Sequence, residues 1–251
     1  MMNSLFVAWR GNDPEEGWGP VGRLEWADGV YRFCYTHGAQ LLPGFGPFSG
    51  MRDLDQVYES RELFPLFANR LLSRSRPEYE AYLRWSGFDP ASQPDPIAIL
   101  GVTEGRRETD SVEVFPCPIP DSDGNYQSKF FLHGVRWLSP SGSARLAHLE
   151  PHEQLRPLPD GDNEYDSHAM GLHTVRNPER IGYVPRYLAQ DVDTLLRHDP
   201  ASVRVLVERV NPDAPLRQRV LCSMRARWPQ GFVPCHGVAF EPIPTDVAVL
   251  H

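Results

Sequence analysis

The segment from residue 169 to residue 197 constrains the fold more than any other part of the chain. Ala169–Val175 has the composition of a strand, Arg176–Glu179 interrupts it, and Ile181–Val184 resumes it as the return strand of a hairpin. Pro185 ends that strand, and the spacing predicts a helix from Arg186 to Arg197. The apolar side of this helix would consist of Leu188, Val192, Leu195 and Leu196.

The rest of the second half is also typical of β-structure. An apolar run at residues 129–137 predicts a strand, and shorter runs predict strands at 145–149 and 154–157. Two further runs, at 202–210 and 219–226, predict a pair of strands close to the carboxyl end. This half is therefore expected to be mainly β, with one helix.

The first half predicts a small α+β domain. Strands are expected at 4–9, 22–26 and 30–35, where the Asp28-Gly29 turn makes the last two a hairpin. Apolar residues recur at helical spacing between 63 and 72 and again from 76 to 85. Short apolar runs at 97–102 and 112–115 predict two more strands.

A proline-rich run separates the two halves. Pro116, Pro118 and Pro120 stiffen the chain, and the Asp-Ser-Asp-Gly sequence that follows is typical of a turn. We therefore predict domains at 1–116 and 128–251, joined by a linker at 117–127. The predicted fold class is α+β and mainly β.

Composition limits how this chain could attract a partner. Aromatic residues make up 11% of the 251 residues, which argues against disorder, and the net charge of -8 gives no global attraction for nucleic acid. Lys129 is the sole lysine, and this preference for arginine is typical of a GC-rich bacterial genome. Between residues 197 and 227 the arginines could form a phosphate-binding face or an ordinary surface of salt bridges, and both alternatives stay open.

The stretch from Asp162 to Ala169 carries turn chemistry beside an aromatic ring. Asn163 and Asp166 can turn the chain by bonding to their own backbone, and Tyr165 lies between them. Residue types alone favour a structural turn. With Arg186 at the start of the predicted helix, the same residues would also suit a nucleotide, since rings stack on bases and guanidinium groups pair with phosphate.

Three sequence elements resemble the signature of the HIRAN domain over residues of about 128–250. They are Gly134-Val135-Arg136-Trp137, then Asn163-Glu164-Tyr165-Asp166-Ser167-His168-Ala169, then Ile181-Gly182-Tyr183-Val184-Pro185-Arg186. The resemblance implies an OB-like or SH3-like β-barrel that binds single-stranded DNA at its 3′ end. It also implies a nucleic-acid-binding pocket made of Arg136, Trp137, Asn163, Tyr165, Asp166, Tyr183 and Arg186.

The resemblance also implies roles for these side chains. Trp137 or Tyr165 would stack on terminal bases, Asp166 would accept a hydrogen bond from the 3′ hydroxyl, and the arginines would meet phosphates. The sequence departs from the pattern at Leu138, where DNA-binding members carry an aromatic residue, and at Asp162, which adds a negative charge.

Residues 1–116 more weakly resemble the N-terminal subdomain of HipA-type kinases. The matching segments are Pro20–Leu24, Tyr31–Tyr35 and Glu62–Leu72. The resemblance implies that this half docks a partner protein, such as a HipA-type kinase or a DNA-repair or defence protein. An antitoxin-like module that controls such a kinase is the alternative function.

No catalytic motif is recognisable, so we expect a non-enzymatic binding protein without a cofactor. Cys34, Cys117, Cys222 and Cys235 lack paired spacing, and Cys222 with Cys235-His236 would supply only three metal ligands, so no metal site is expected. The sequence shows no signal peptide and no membrane-spanning run. We therefore expect a cytoplasmic protein.

Overall fold

The computed structural model describes residues 4–11, 17–107 and 109–244. The described residues divide into two compact units: the first contains 4–11, 17–76, 94–107, 109–117 and 233–244, and the second contains 77–93 and 118–232. The strands are β1 (Ser4–Arg10), β2 (Trp18–Ala27), β3 (Val30–Tyr35), β4 (Tyr58–Ser60), β5 (Val112–Phe115), β6 (Asn125–Phe131), β7 (Gln154–Pro159), β8 (Met170–Thr174), β9 (Arg180–Tyr183), β10 (Arg204–Val210) and β11 (Val220–Arg227). The helices are α1 (Gly38–Leu41), α2 (Pro65–Ala68), α3 (Tyr79–Trp85), α4 (Pro96–Thr103), α5 (Pro140–Leu146) and α6 (Arg186–His198).

The first unit is built on a five-stranded antiparallel sheet in the order β4-β3-β2-β1-β5. The β2-β3 hairpin turns at Asp28 and Gly29, whose φ angles of 54° and 77° are both left-handed. Its core is rich in aromatic and branched side chains, including the fully buried Phe33 and Tyr35. The hairpin predicted from the sequence is thus confirmed.

The second unit is built on a six-stranded sheet in the order β6-β11-β10-β7-β8-β9, curled into a half-barrel. Helix α6 buries Leu188, Ala189, Val192 and Leu195 in its core. The two edges of the sheet meet at one residue pair, because His133, just after β6, exchanges two backbone hydrogen bonds with Tyr183 of β9. The prediction of a mainly β fold with a curled OB-like sheet is confirmed.

Two predicted strands are helices. The apolar run at 97–102 lies in α4, where Pro96 occupies the first turn and the Asp95 carboxylate accepts from the Ile97 amide at 2.7 Å. The predicted strand at 145–149 begins inside α5, whose first turn is capped by Ser139 through a 3.0 Å bond from the Gly142 amide. In both cases a cap and a proline outweigh the strand-like composition.

Two other elements are shorter than predicted. The helix expected at 63–72 is reduced to α2, and the strand expected at 129–137 ends at Phe131. Residues 135–137 form a 3-10 turn instead, because Gly134 enters it with a left-handed φ of 67°.

The predicted domains at 1–116 and 128–251 stay a prediction. The two compact units differ from these predicted domains in the placement of two segments. Residues 77–93 lie in the second unit, where Asn211 Nδ2 donates to the Trp85 carbonyl at 3.0 Å. Residues 233–244 lie in the first unit, where the Ile243 amide donates to the Tyr35 carbonyl at 2.9 Å. Each grouping brings together residues that are far apart in sequence.

None of the helices in the described part of the chain has the length and apolar character that a bilayer crossing requires. Within residues 4–11, 17–107 and 109–244, no three His, Cys, Asp or Glu side chains come together as metal ligands would. Cys222 is fully buried in β11, and this burial raises the pKa of its thiol well above the ordinary value.

Candidate functional site

The turn after β6 presents a tryptophan to solvent. Gly134 opens the turn, and Val135–Trp137 completes it as a single 3-10 turn. The Trp137 side chain is 79% exposed, and the Arg136 guanidinium carbon lies 5.7 Å from its ring centroid. A large ring is therefore held at the surface beside a positive charge.

This turn packs against Tyr183 of β9. A Cβ atom at Gly134 would lie 2.5 Å from the Tyr183 Cδ2 atom, so the ring occupies the space that any larger residue would need. The backbones are also joined, since the His133 amide donates to the Tyr183 carbonyl at 3.0 Å and the reverse bond is 2.9 Å. Gly134 thus allows the exposed turn and the strand to meet closely.

Asp160 connects the side chains of β9. One oxygen, Oδ2, accepts from the Tyr183 hydroxyl and from Arg180 Nη1, each at 2.7 Å. The Arg180 guanidinium carbon in turn lies 5.1 Å from the Tyr183 ring centroid. Burial and the bond to Asp160 together raise the pKa of the Tyr183 phenol, so the phenol stays protonated and continues to donate.

The loop after Asp160 displays a second aromatic ring. The Asn163 side-chain oxygen accepts from the amides of Tyr165 and Asp166, both at 3.0 Å, and the Asp166 carboxylate accepts from the His168 amide at 3.0 Å. The Tyr165 side chain is 80% exposed. The predicted turn role of Asn163 and Asp166 is confirmed, and the turn holds the ring away from the core.

An ion pair joins this loop to α6. Arg186 Nε lies 3.2 Å from Asp166 Oδ2 at the first residue of the helix. The Asp166 side chain is mostly buried, whereas about a third of the Arg186 side chain is exposed. The carboxylate and the guanidinium proposed to meet a ligand therefore already neutralise each other.

The structure brings all seven predicted site residues into one continuous group. Arg136 contacts Trp137, and Gly134 connects their turn to Tyr183. Tyr183 donates to the Asp160 carboxylate, the Asp160 carbonyl accepts from the Asn163 amide, and that loop leads to Asp166 and Arg186. Whether these residues bind nucleic acid stays a prediction.

Sequence reasoning missed the two residues at the centre of this group, Asp160 and Arg180. Asp160 directly follows β7 and begins a turn, which by itself looks like ordinary turn chemistry. Its partners Arg180 and Tyr183 come 20 and 23 residues later. Only the pairing of β7, β8 and β9 brings the three together.

Replacing Asp160 with asparagine should lower the pKa of the Tyr183 phenol towards its ordinary value of 10.0. The variant removes the charged acceptor that stabilises the neutral phenol, whereas the charge of Arg180 remains to favour the phenolate. A pH titration followed by carbon NMR of the tyrosine Cζ atoms would measure this pKa, and the signal missing in Tyr183→Phe would identify Tyr183. Asp162→Asn, in the same loop, should leave this pKa unchanged, and an unaltered pKa in Asp160→Asn would disprove the role of Asp160.

Comparison with known proteins gives one family match. Residues 125–228 match the model of the HIRAN domain, which covers the six-stranded unit from β6 to the end of β11. No curated protein matches the chain. The match leaves residues 1–124 and 229–251 unassigned, and nothing in the comparisons supports the resemblance of residues 1–116 to HipA-type kinases.

Two solved structures are similar to part of the chain. A protein from Lactobacillus plantarum shares 20% identity, with 41% of this chain and 97% of the other covered at a TM-score of 0.31. The HIRAN domain of human HLTF shares 14% identity, with 43% and 84% covered at a TM-score of 0.30.

Proposed function

We propose, from the premise that residues 125–228 form a HIRAN domain, that this unit binds single-stranded nucleic acid at a 3′ end. The observation that carries the proposal is the exposure of two aromatic rings, Trp137 and Tyr165, on one polar group of side chains. Large exposed rings held by fixed turns are suited to stacking on unpaired bases. The activity is binding, and no catalytic step is assigned to the chain.

The ion pair between Asp166 and Arg186 supports recognition of a terminal nucleotide. Such a nucleotide carries a hydroxyl that can donate to the carboxylate and a phosphodiester that can accept from the guanidinium. A carboxylate has about four lone-pair sites, so Asp166 can accept from a ligand hydroxyl and keep its bond to the His168 amide. Arg136, beside the exposed Trp137, supplies a second guanidinium for the next phosphate.

A free 3′ hydroxyl should bind about tenfold more tightly than a 3′ phosphate, a difference of about 1.4 kcal/mol. The phosphate removes the donor and places negative charge beside Asp166. Fluorescence anisotropy with strands labelled at the 5′ end would compare the two. Equal affinities, or no binding at micromolar protein, would contradict end recognition.

Asp166→Asn, measured in the same anisotropy assay, tests whether the Asp166 carboxylate causes the preference for a free 3′ hydroxyl. The asparagine oxygen can still accept from the His168 amide, so the loop keeps its turn, but the charge that repels a 3′ phosphate is lost. We expect the preference for the free hydroxyl to shrink towards equality. Asp162→Asn, which removes the same charge from an exposed position in this loop, should retain the preference.

Docking of a partner protein by residues 1–116 is a separate proposal, and the HipA-type kinase is its most specific form. It rests on sequence resemblance alone. Co-expression with such a kinase, followed by purification through a tag on this chain, would test it. A full-length chain that does not recover the kinase would contradict it.

A further inference from the structure

The outer face of the six-stranded sheet carries a line of basic side chains, one from each of five neighbouring strands. In strand order from β11 to β9 they are Arg225, Arg204, Arg156, His173 and Arg180, here called the cationic row. Burial and the nearby Arg180 lower the pKa of His173, so the charge of the row comes from its four arginines. No two of them belong to the same strand. The arrangement is therefore a product of the sheet and is not visible as a cluster in the sequence.

The strand register places the members of the row side by side. Arg204 is paired with Arg225, Arg156 with His173, and His173 with Arg180. Between β10 and β7, Val205 pairs with Leu155, so the next position along the same register sets Arg204 opposite Arg156. Neighbouring strands are about 4.8 Å apart, so the row extends for about 19 Å along the sheet.

Burial shows that the row faces away from the core. Its flanking residues Val205, Leu155 and Met224 are buried, whereas Arg204, Arg156 and Arg225 are exposed. Side chains alternate between the two faces of a strand, so the row lies on the side opposite α6 and the core.

The centre of the row is not neutralised. Arg225 lies 3.4 Å from Asp123, and Arg180 is paired with Asp160, so both ends of the row have acidic neighbours. Neither Arg156 nor Arg204 forms an ion pair in the part of the chain that the structure describes. Like charges directly opposite each other destabilise a sheet, so an anionic partner would relieve this repulsion.

One end of the row belongs to the candidate site. Arg180 shares the Asp160 carboxylate with Tyr183 and lies over the Tyr183 ring. A Cβ atom at Gly171 would lie 3.2 Å from His173 Nε2 and 3.3 Å from Arg180 Cδ, so both side chains lie over the same part of β8. The row thus leads from the sheet centre to the residues proposed to hold the strand end.

We infer that the cationic row binds the phosphate backbone of the same single strand whose 3′ end occupies the site, several nucleotides away from that end. This inference rests on the proposed function, and it adds a second contact region and a dependence on strand length. Backbone contacts through arginine carry no base preference. The row should therefore increase affinity for long strands of any sequence.

The inference is tested with Arg156→Gln and Arg204→Gln combined, by anisotropy on strands of about 3 and about 12 nucleotides with free 3′ ends. The unaltered protein should bind the long strand more tightly. The double variant should lose most of that gain, and its salt dependence on the long strand should weaken by a slope of about 1.4, because each lost phosphate contact contributes about 0.7. Its affinity for the short strand should stay the same.

Arg52→Gln with Arg61→Gln is the matched control, since it removes the same charge from exposed positions outside the row. This control should keep the gain from strand length. If the double variant of Arg156 and Arg204 retains the full affinity gain on the long strand and the full salt slope, the inference is overturned while the proposed function stands. Equal affinity of the unaltered protein for the two strands has the same consequence. Failure of the unaltered protein to bind either strand overturns both.

Discussion

Replacing Trp137 and Tyr165 together with alanine should lower the affinity for single-stranded nucleic acid at least about 30-fold. Stacking of a base on an aromatic side chain contributes about 1 to 3 kcal/mol, so losing two rings should cost about 2 to 6 kcal/mol. Both rings are mostly exposed, so their loss removes little buried surface and the melting temperature should hardly change. The double variant is thus expected to lose affinity for single-stranded nucleic acid while its melting temperature hardly changes.

Anisotropy and thermal unfolding on the same samples would measure both effects. Trp137→Phe with Tyr165→Phe is the matched control, because it keeps two flat rings and should retain most of the affinity. Ile119→Ala removes an equally exposed apolar side chain that lies outside the site residues, and it should leave affinity unchanged. Unreduced binding by the alanine pair would show that these rings are not the stacking platform.

Replacing Gly38 with alanine should destabilise the first unit by about 3 kcal/mol. A Cβ atom at this position would lie 1.8 Å from the Pro20 carbonyl oxygen and 3.0 Å from that of Ala239. Both are backbone atoms, so no side chain can rotate away to make room. The added methyl group must instead move α1 away from β2 and from residues 238–240.

Hydrogen exchange would locate this effect, because amides in β2 and β3 should lose protection while those in β10 and β11 report on the second unit. Gly46→Ala is the control in the same unit, since its Cβ would meet no atom within 4 Å. If the two alanine variants unfold at the same denaturant concentration, the close packing around Gly38 has no energetic consequence.

The sequence predicted best those elements whose causes are local. The hairpin of β8 and β9 and helix α6 were predicted because a turn, a proline and a helical spacing all lie within about thirty residues. The turn around Asn163 was predicted for the same reason, since its bonds join residues two or three positions apart. The exposure of Tyr165 does not follow from the segment, because a tyrosine beside such a turn commonly packs on the core.

The sequence predicts less well the elements that suit both a helix and a strand, and the contacts between residues far apart in the chain. The apolar run at 97–102 suits a strand and a buried helix equally, and the cap at Asp95 decides for the helix. Asp160 and the cationic row were missed because their neighbours come from other strands. A register of paired strands, which composition does not reveal, is what makes these residues adjacent.

The meeting of the two sheet edges at His133 and Tyr183 has a consequence for solubility. Free edges of a sheet can pair with other chains and start aggregation, and proteins avoid this by covering or closing them. Here the closure is made by residues that also build the candidate site, since Tyr183 packs on the turn that carries Trp137. Mutations that loosen this junction would therefore also expose the strand edges to pairing with other chains.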